Sequence, residues 1–294
     1  MTPARHVTLR IGPPPILAVE TTGHGPLVIF LHGIGGNRRN WLEQLDPVGA
    51  EFTAAAWDAR GYGESEDYPG PLDFGDFAGD LLRVLDYVGA GRAHLVGISM
   101  GGRIALDFYA RHRERVATLT LADTSAGNAR VASAAEVEAF LAIRKRPLLE
   151  GKTPRDIAPE VVATLIGPDT GATARARMIE SLAELHAESY IKTLDTVTRH
   201  TAFPVFEEIA VPTLVMVGEH DRIATPEYAR TLAMRIPGAR FEMLTRGSHI
   251  SNMDQPEAFN RVLLQFLRSH RARADAPSRP ADAAPQPAIA PQGA

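Results

Sequence analysis

The sequence contains no cysteine among its 294 residues. This absence excludes a disulfide framework, a cysteine nucleophile and a metal site with cysteine ligands. No H-E-x-x-H motif occurs, and the ten histidines are scattered along the chain. The sequence therefore predicts no metal site and no cofactor. An absence of cysteine also suits a reducing compartment, so we expect the protein in the cytoplasm.

A strong charge of one sign and long apolar runs are missing as well. The 31 basic and 35 acidic side chains give a formal net charge of −4, which favours neither nucleic acid nor an anionic membrane as a partner. Residues 1–15 lack the apolar segment of a signal peptide. No apolar run approaches the roughly 20 residues that span a bilayer. We expect a soluble protein whose partner is a small-molecule substrate.

The sequence does contain an alternation of short apolar strands and amphipathic helices. Strands are predicted over residues 7–11, 16–20, 27–31, 53–57, 94–96, 116–121, 213–217 and 240–244. Helices are predicted between them over residues 77–88, 100–111, 226–236 and 256–268. This alternation predicts an α/β fold, with a doubly wound, mostly parallel sheet and helices on both of its faces.

One stretch between the central strands is helical throughout. Helices are predicted there over residues 134–144, 154–165, 173–186 and 189–198. Such an insertion indicates a helical cap over the carboxyl edge of the sheet, where open α/β sheets bind ligands. We therefore predict three parts. They are an α/β core of residues 1–127 and 205–271, a helical cap of residues 128–204, and a disordered, Pro/Ala-rich tail of residues 272–294.

The pattern G-x-S-x-G stands where a predicted strand meets a predicted helix. Ser99 lies between Gly97 and Gly101 at this junction. In that context the pattern describes a tight, strained turn that exposes the serine hydroxyl. The glycines lack side chains, so the strand and the helix can cross closely. Alone, the pattern also fits any serine in a glycine-rich turn. Motifs elsewhere in the chain are needed to distinguish a nucleophile from such a serine.

Two further polar residues follow the last two predicted strands. His249 follows the final strand, and an imidazole there can remove the proton from a serine hydroxyl because histidine titrates near neutral pH. Asp221 follows the strand before it, and a carboxylate there can orient the imidazole. Glu219 and Asp123 are rival acids. The chain order Ser…Asp…His favours Asp221.

The loop after the strand at 27–31 contains the segment HGIGG, which begins at His32. Acyl transfer needs backbone amides aimed at the developing oxyanion, one from an early loop and one from the residue after the nucleophile. The amides of Ile34 and Met100 fit these two places. A nucleotide-binding loop is the alternative, but no Gly-Lys-Ser/Thr follows, and Arg38 occupies the sixth place of G-x-G-x-x-G.

These motifs together resemble the α/β-hydrolase family, in the branch that carries a cap. The landmarks are HGIGG at 32–36, DARGYGES at 58–65, GISMGG at 97–102, GEHD at 218–221 and SH at 248–249. The resemblance covers residues 7–270. It implies that Ser99 is the nucleophile, His249 the general base and Asp221 the acid that orients it, with the Ile34 and Met100 amides as the oxyanion hole.

Within the family, the serine separates the chain from haloalkane dehalogenases and epoxide hydrolases, whose nucleophile is aspartate. The pattern is similar to 3-oxoadipate enol-lactonases and related carboxylesterases, which implies a serine hydrolase that cleaves a small ester or enol-lactone through an acyl-enzyme. A C–C bond hydrolase of the meta-cleavage type is one alternative. Those enzymes usually carry Asn where this chain has Ile98. A ligand receptor on a hydrolase fold is an alternative of another class.

Enol-lactones and ring-cleavage products carry carboxylates, which an arginine side chain can bind through two parallel hydrogen bonds. Candidate substrate-binding residues are His32, Gly33, Arg38, Trp41, Arg144 and Tyr190. Met178 and His200 are further candidates for the lining of a pocket. For each of these residues, packing in the core or exposure to solvent is the competing interpretation.

Overall fold

The computed structural model describes residues 5–125 and 133–274, in which strands and helices alternate along the chain. The strands are β1 (Val7–Ile11), β2 (Leu17–Gly23), β3 (Leu27–Leu31), β4 (Thr53–Trp57), β5 (Ala93–Ile98), β6 (Val116–Ala122), β7 (Thr213–Gly218) and β8 (Arg240–Leu244). The helices are α1 (Leu42–Gly49), α2 (Gly75–Tyr87), α3 (Met100–Arg111), α4 (Ala134–Leu149), α5 (Pro154–Ala163), α6 (Ala172–Ala183), α7 (Ala187–Arg199), α8 (Pro226–Arg235), α9 (Ser251–Asp254) and α10 (Pro256–Ser269). Short 3₁₀ turns join some of them.

The strands form one sheet in the order β1-β2-β4-β3-β5-β6-β7-β8. Strand β2 is antiparallel to both β1 and β4, and every other pair in the sheet is parallel. Strands β3, β5, β6 and β7 are buried along their whole length, as expected when helices cover both faces of a parallel sheet. The predicted α/β fold with a mostly parallel sheet is confirmed.

Alternate side chains of β3 enter the two apolar layers of the core. Val28 and Phe30 pack in the layer formed with α1 and α10. Ile29 and Leu31 pack in the layer formed with α2, α3 and α8. Because successive side chains of a strand point to opposite faces, one short strand anchors both layers. This packing fixes the carboxyl edge of the sheet, from which the loops of the candidate site project.

Helices α4 to α7 lie between β6 and β7 in the chain, where the sequence predicts an all-helical insertion. We call these four helices the cap helices. Leu182 of α6 lies against Gly35 of the core. The carbonyl oxygen of Leu165, which follows α5, accepts a hydrogen bond from the His249 amide at 3.1 Å. Residue 128, the predicted start of the cap, lies outside the described residues. The division into core and cap domains stays a prediction.

Two segments differ from the sequence-based expectation. Helix α1 is not predicted, because Pro47 interrupts a short and weakly apolar stretch. Leu45 and Val48 are nevertheless fully buried, so packing against the sheet supplies the stability that local preference lacks. The predicted tail begins at 272, whereas Arg271–Arg273 form a 3₁₀ turn and Ala274 is buried. The folded part therefore reaches residue 274, and the remainder of the tail lies outside the described residues.

Candidate active site

Ser99 occupies a sharp turn between β5 and α3. Its φ angle is 53°, in a region that residues other than glycine rarely adopt. A Cβ atom on Gly97 would lie 2.2 Å from the carbonyl oxygen of Gly101, and one on Gly101 would lie 2.0 Å from that of Leu31. Only glycine fits at either position. The two glycines therefore allow the crossing of strand and helix that exposes the serine.

His249 lies between Ser99 and Asp221. Its Nε2 atom is 2.9 Å from Ser99 Oγ, and its Nδ1 atom is 2.9 Å from Asp221 Oδ2. An ionised carboxylate only accepts hydrogen bonds. Nδ1 of His249 therefore carries the hydrogen and donates a hydrogen bond to Asp221. Nε2 is then an acceptor for the serine hydroxyl. This is the tautomer that general-base catalysis requires.

The Asp221 carboxylate is fixed by its own loop. Its Oδ1 atom accepts hydrogen bonds from the amides of Ile223 and Ala224, at 2.8 and 2.9 Å. The side chain is fully buried, so these bonds also replace the water that it has lost. The second oxygen is left for His249. The carboxylate can therefore hold the imidazole in one orientation.

The surroundings of His249 favour its protonated form. Burial lowers the pKa of His249, but the hydrogen bond to Asp221, the charge of Asp221 and the charge of Asp123 all raise it. The three favourable contributions outweigh burial, and the pKa of His249 lies above the ordinary value of 6.5. An imidazolium that forms when Ser99 loses its proton is thus stabilised by the site.

The rival acids occupy different surroundings. Asp123 is fully buried beside Asp221, and burial together with the charge of Asp221 raises the pKa of Asp123 to about 7. Its carboxyl group accepts hydrogen bonds from backbone amides rather than from the imidazole. Glu219 is exposed and accepts a bond from the amide of Arg246. Asp221 is therefore the acid that the structure brings to His249.

The loop after β3 passes directly over Ser99. A Cβ atom on Gly33 would lie 3.2 Å from the Cβ atom of Ser99. The buried ring of His32 holds this loop, because its Nε2 atom accepts a bond from the Ala59 amide and its Nδ1 atom lies 2.8 Å from Gly33 O. Burial lowers the pKa of His32, which agrees with a neutral ring that donates to Gly33. His32 thus positions the loop.

The two amides predicted as an oxyanion hole are free of other partners. Ile34 follows Gly33 in the loop, and Met100 is the first residue of α3, directly after Ser99. In residues 5–125 and 133–274, neither backbone amide donates a hydrogen bond to another protein group. Their role as an oxyanion hole stays a prediction.

A small cavity adjoins Ser99 and His249. It has a volume of about 30 Å³, enough for about two water molecules. Its lining residues are Gly33, Ile34, Gly36, Asn40, Ile98, Ser99, Leu165, Met178, His249, Ile250, Asn252 and Met253. Gly33 and Met178 were candidates from the sequence. The apolar residues Leu165, Ile250 and Met253 were missed, although the last two stand close to His249 in the chain.

The other predicted substrate-binding residues do not line this cavity. The Arg38 guanidinium forms a buried ion pair with Asp58 and is also bound by Glu64. Trp41 is fully buried, with its ring 4.9 Å from that of Phe30. These contacts occupy both side chains inside the core. Neither Arg38 nor Trp41 lines the cavity, so their binding of substrate stays a prediction.

The two candidates from the cap helices also lie apart from the lining. The Arg144 guanidinium is 5.5 Å from the centre of the Phe140 ring on the same helix, α4. Tyr190 is buried in α7. Its contact with substrate, like that of Arg144, stays a prediction. The further candidate His200 stacks on Phe74, with 3.9 Å between the ring centres.

The part of the chain that the structure describes offers no cluster of three or more His, Asp or Glu side chains suited to a metal ion. No helix in that part is both long and apolar enough to cross a membrane. The site consists of a hydroxyl, an imidazole, a carboxylate and two free amides. These groups suffice chemically for acyl transfer to a serine.

Comparison with known proteins gives consistent matches. A family model described as the alpha/beta hydrolase fold matches residues 26–256. The poly(3-hydroxyalkanoate) depolymerase of Ectopseudomonas oleovorans is 31% identical over 260 residues, which cover 87% of this chain and 89% of that protein. The 3-oxoadipate enol-lactonase 2 of Acinetobacter baylyi is 27% identical over 246 residues, with 83% and 89% covered.

A solved structure is also similar to most of this chain. The malate-bound thermophilic esterase from Thermogutta terrifontis matches with a TM-score of 0.80 and 27% sequence identity. The match covers 91% of this chain and 100% of the esterase chain. The similarity therefore extends through the cap helices as well as the sheet.

Proposed function

The chain belongs to the α/β-hydrolase family, and on that premise we propose that it is a serine hydrolase of small carboxylic esters or lactones. The observation that carries this proposal is the continuous hydrogen-bond chain from Ser99 Oγ through His249 to Asp221. A serine hydroxyl is a weak nucleophile until a base removes its proton. The distance of 2.9 Å between His249 Nε2 and Ser99 Oγ supports this role for His249.

In the proposed reaction, Ser99 Oγ attacks the carbonyl carbon of the substrate while His249 Nε2 takes the hydroxyl proton. The negative charge that develops on the carbonyl oxygen is bound by the amides of Ile34 and Met100. His249 then gives the proton to the leaving oxygen, and the alcohol departs. A water molecule, deprotonated by His249, attacks the acyl-enzyme and releases the acid.

The similar proteins support chemistry of this kind. The relatives named above are an enol-lactonase and a depolymerase, and the similar solved structure is that of an esterase. The predicted cytoplasmic location and the division into core and cap belong to the same proposal. A small ester or lactone is the partner that the proposal assigns to the chain.

The proposal is tested with a fluorophosphonate probe, which reacts with activated serines. We expect the wild type to be labelled at Ser99 and Ser99→Ala to remain unlabelled, with loss of p-nitrophenyl acetate hydrolysis. The control is Ser269→Ala, which removes an exposed hydroxyl on α10 and should label normally. Equal labelling of wild type and Ser99→Ala would show that the nucleophile lies elsewhere.

The two alternatives are tested by substrate choice and turnover. A C–C bond hydrolase would cleave a dienone acid faster than any ester of similar size. A ligand receptor would release one equivalent of product at most for each protein molecule. We expect multiple turnovers on esters or lactones and slower reaction with the dienone acid.

A further inference from the structure

The cavity beside Ser99 is lined mainly by apolar side chains. They come from the loop after β3, the end of β5, the segment after α5, helix α6, the loop after β8 and helix α9. The apolar lining residues are Ile34, Ile98, Leu165, Met178, Ile250 and Met253. Apart from Ser99 and His249, the polar side chains in the lining are Asn40 and Asn252. The hydrogen bonds of these two side-chain amides determine whether they are available to bind a polar group of a substrate.

Both asparagine side chains hydrogen-bond to protein groups, and within the described residues Asn40 Nδ2 keeps one N–H without a partner. Asn40 Nδ2 donates to Ser181 Oγ at 3.0 Å, and Asn40 Oδ1 accepts from the amide of Asn37 at 2.9 Å. Asn252 Nδ2 donates to the carbonyl oxygen of Asn40 at 2.7 Å and to Gln44 Oε1 at 3.2 Å. These bonds tie the loop after β3 to α6 and to the loop that bears His249. They leave Asn252 without a free donor.

Three arginines in these elements are paired with carboxylates, whereas Arg103 of α3 donates to the carbonyl oxygen of His200 at 2.7 Å. Arg39 bonds Glu184 at 2.5 Å, and Arg177 bonds Glu43 at 2.6 Å. Arg38 is held by Asp58 in the core. Within residues 5–125 and 133–274, no lysine or arginine lines the cavity. A carboxylate in this cavity would therefore lose its water without gaining a lysine or arginine partner.

Desolvation of an unpaired carboxylate is strongly unfavourable, whereas an apolar group gains from burial among apolar side chains. We propose that the group of the substrate that enters this cavity is uncharged and apolar. The enzyme then acts on neutral esters or lactones, in preference to those that carry a carboxylate on that group. This inference rests on the proposed function and narrows its substrate class. It also argues against the substrate carboxylate that the resemblance to enol-lactonases implies.

The test compares neutral and anionic substrates of matched size. The acyl pair is p-nitrophenyl propionate and p-nitrophenyl hydrogen malonate, which share a leaving group and a three-carbon chain. The alcohol pair is ethyl acetate and carboxymethyl acetate, whose varied groups are small enough for the cavity. We expect kcat/KM to favour the neutral member by about 100-fold or more in the pair whose varied group enters the cavity. Ratios within about tenfold in both pairs, or a preference for either anion, would overturn the proposal.

A charge placed in the lining provides a second measurement. Met178→Arg introduces a cation into the cavity, and we expect it to lower the same neutral-to-anionic ratio by about tenfold or more. Ala176→Arg is the matched control, because it adds the same charge to the exposed face of α6. The control should keep the wild-type ratio. A Met178→Arg protein that is folded, as judged by its Tm, and keeps the wild-type ratio would contradict the proposal.

The wild-type comparison needs no variant, so it decides the question even where Met178→Arg does not fold. Failure of the proposed function has a different signature. In that case Ser99 is not labelled by the fluorophosphonate and neither member of either pair is hydrolysed. Labelled Ser99 with equal rates on neutral and anionic substrates contradicts only the inference about the cavity.

Discussion

Asp123 Oδ2 accepts a hydrogen bond from the backbone amide of Ser251, with 3.1 Å between the two atoms. Its other oxygen, Oδ1, accepts from the amide of Gly218 at 2.8 Å. Gly218 ends the strand that precedes Asp221, and Ser251 follows His249 by two residues. One buried carboxyl group therefore joins the loop of the proposed acid to the loop of the proposed base.

Asp123→Asn should shift the pH dependence of the enzyme. The charge of Asp123 raises the pKa of His249, so its removal lowers that pKa. The acidic limb of kcat/KM should then move to lower pH, because neutral His249 is the proposed base. The comparison is a pH–rate profile of wild type and variant. Asp80→Asn, at a buried carboxylate paired with Arg60, should lower stability and leave the profile unchanged.

The dependence of kcat/KM on pH in the wild type should also have a predictable midpoint. Activity requires neutral His249, and the pKa of His249 lies above 6.5 because Asp221 and Asp123 outweigh the effect of burial. The kcat/KM value should therefore fall with a midpoint above pH 6.5 as the pH is lowered. The same shift means that protonated His249 stabilises the fold at pH below 6.5, and that this contribution disappears as the pH rises through the pKa of the folded state. A midpoint below 6.5 would contradict this account.

Asp221→Asn should reduce kcat by about 10⁴-fold, because an amide cannot stabilise the imidazolium and favours the wrong tautomer. Glu219→Gln changes the neighbouring carboxylate, whose one hydrogen bond within residues 5–125 and 133–274 comes from the amide of Arg246. We expect its kcat to stay within about twofold of wild type. Steady-state kinetics on p-nitrophenyl acetate measure both. A larger loss in Glu219→Gln than in Asp221→Asn would reverse the assignment of the acid.

Gly97→Ala should destabilise the protein by about 3 kcal/mol or more, because the added Cβ atom meets the backbone of Gly101. Backbone atoms cannot turn aside as a flexible side chain can. Gly79→Ala is the control. It lies in α2 with no neighbour within 4 Å of an added Cβ atom and should gain about 0.5–1 kcal/mol. Urea unfolding measures both, and equal midpoints would contradict the packing argument.

The sheet and the positions of Ser99 and His249 beside each other could be predicted because their signals are local. Strand β3 is an uninterrupted apolar run, and the predicted bounds 27–31 are those observed. Ser99 and His249 each follow a predicted strand within a few residues. Helix α1 could not be predicted, since its stability comes from packing of Leu45 and Val48 against distant strands.

The surroundings of the residues considered for substrate binding are set by contacts between positions far apart in the chain. Arg38 was expected to bind a carboxylate of the substrate, but its partners are Asp58 and Glu64, which only the folded chain brings to it. Met178 and Leu165 reach the cavity because cap helices fold back over Ser99. No periodicity in their own segments indicates which side chain faces the serine.

The positive φ angle of Ser99 has a consequence for attempts to engineer this protein. A residue other than glycine in such a conformation costs about 1–3 kcal/mol, so Ser99→Gly should unfold at a higher temperature than the wild type. A library screened for heat resistance alone would thus select variants that have lost the proposed nucleophile. Directed evolution for thermal stability therefore has to measure turnover in every round, because glycine at position 99 should raise stability and remove the hydroxyl that the proposed reaction needs.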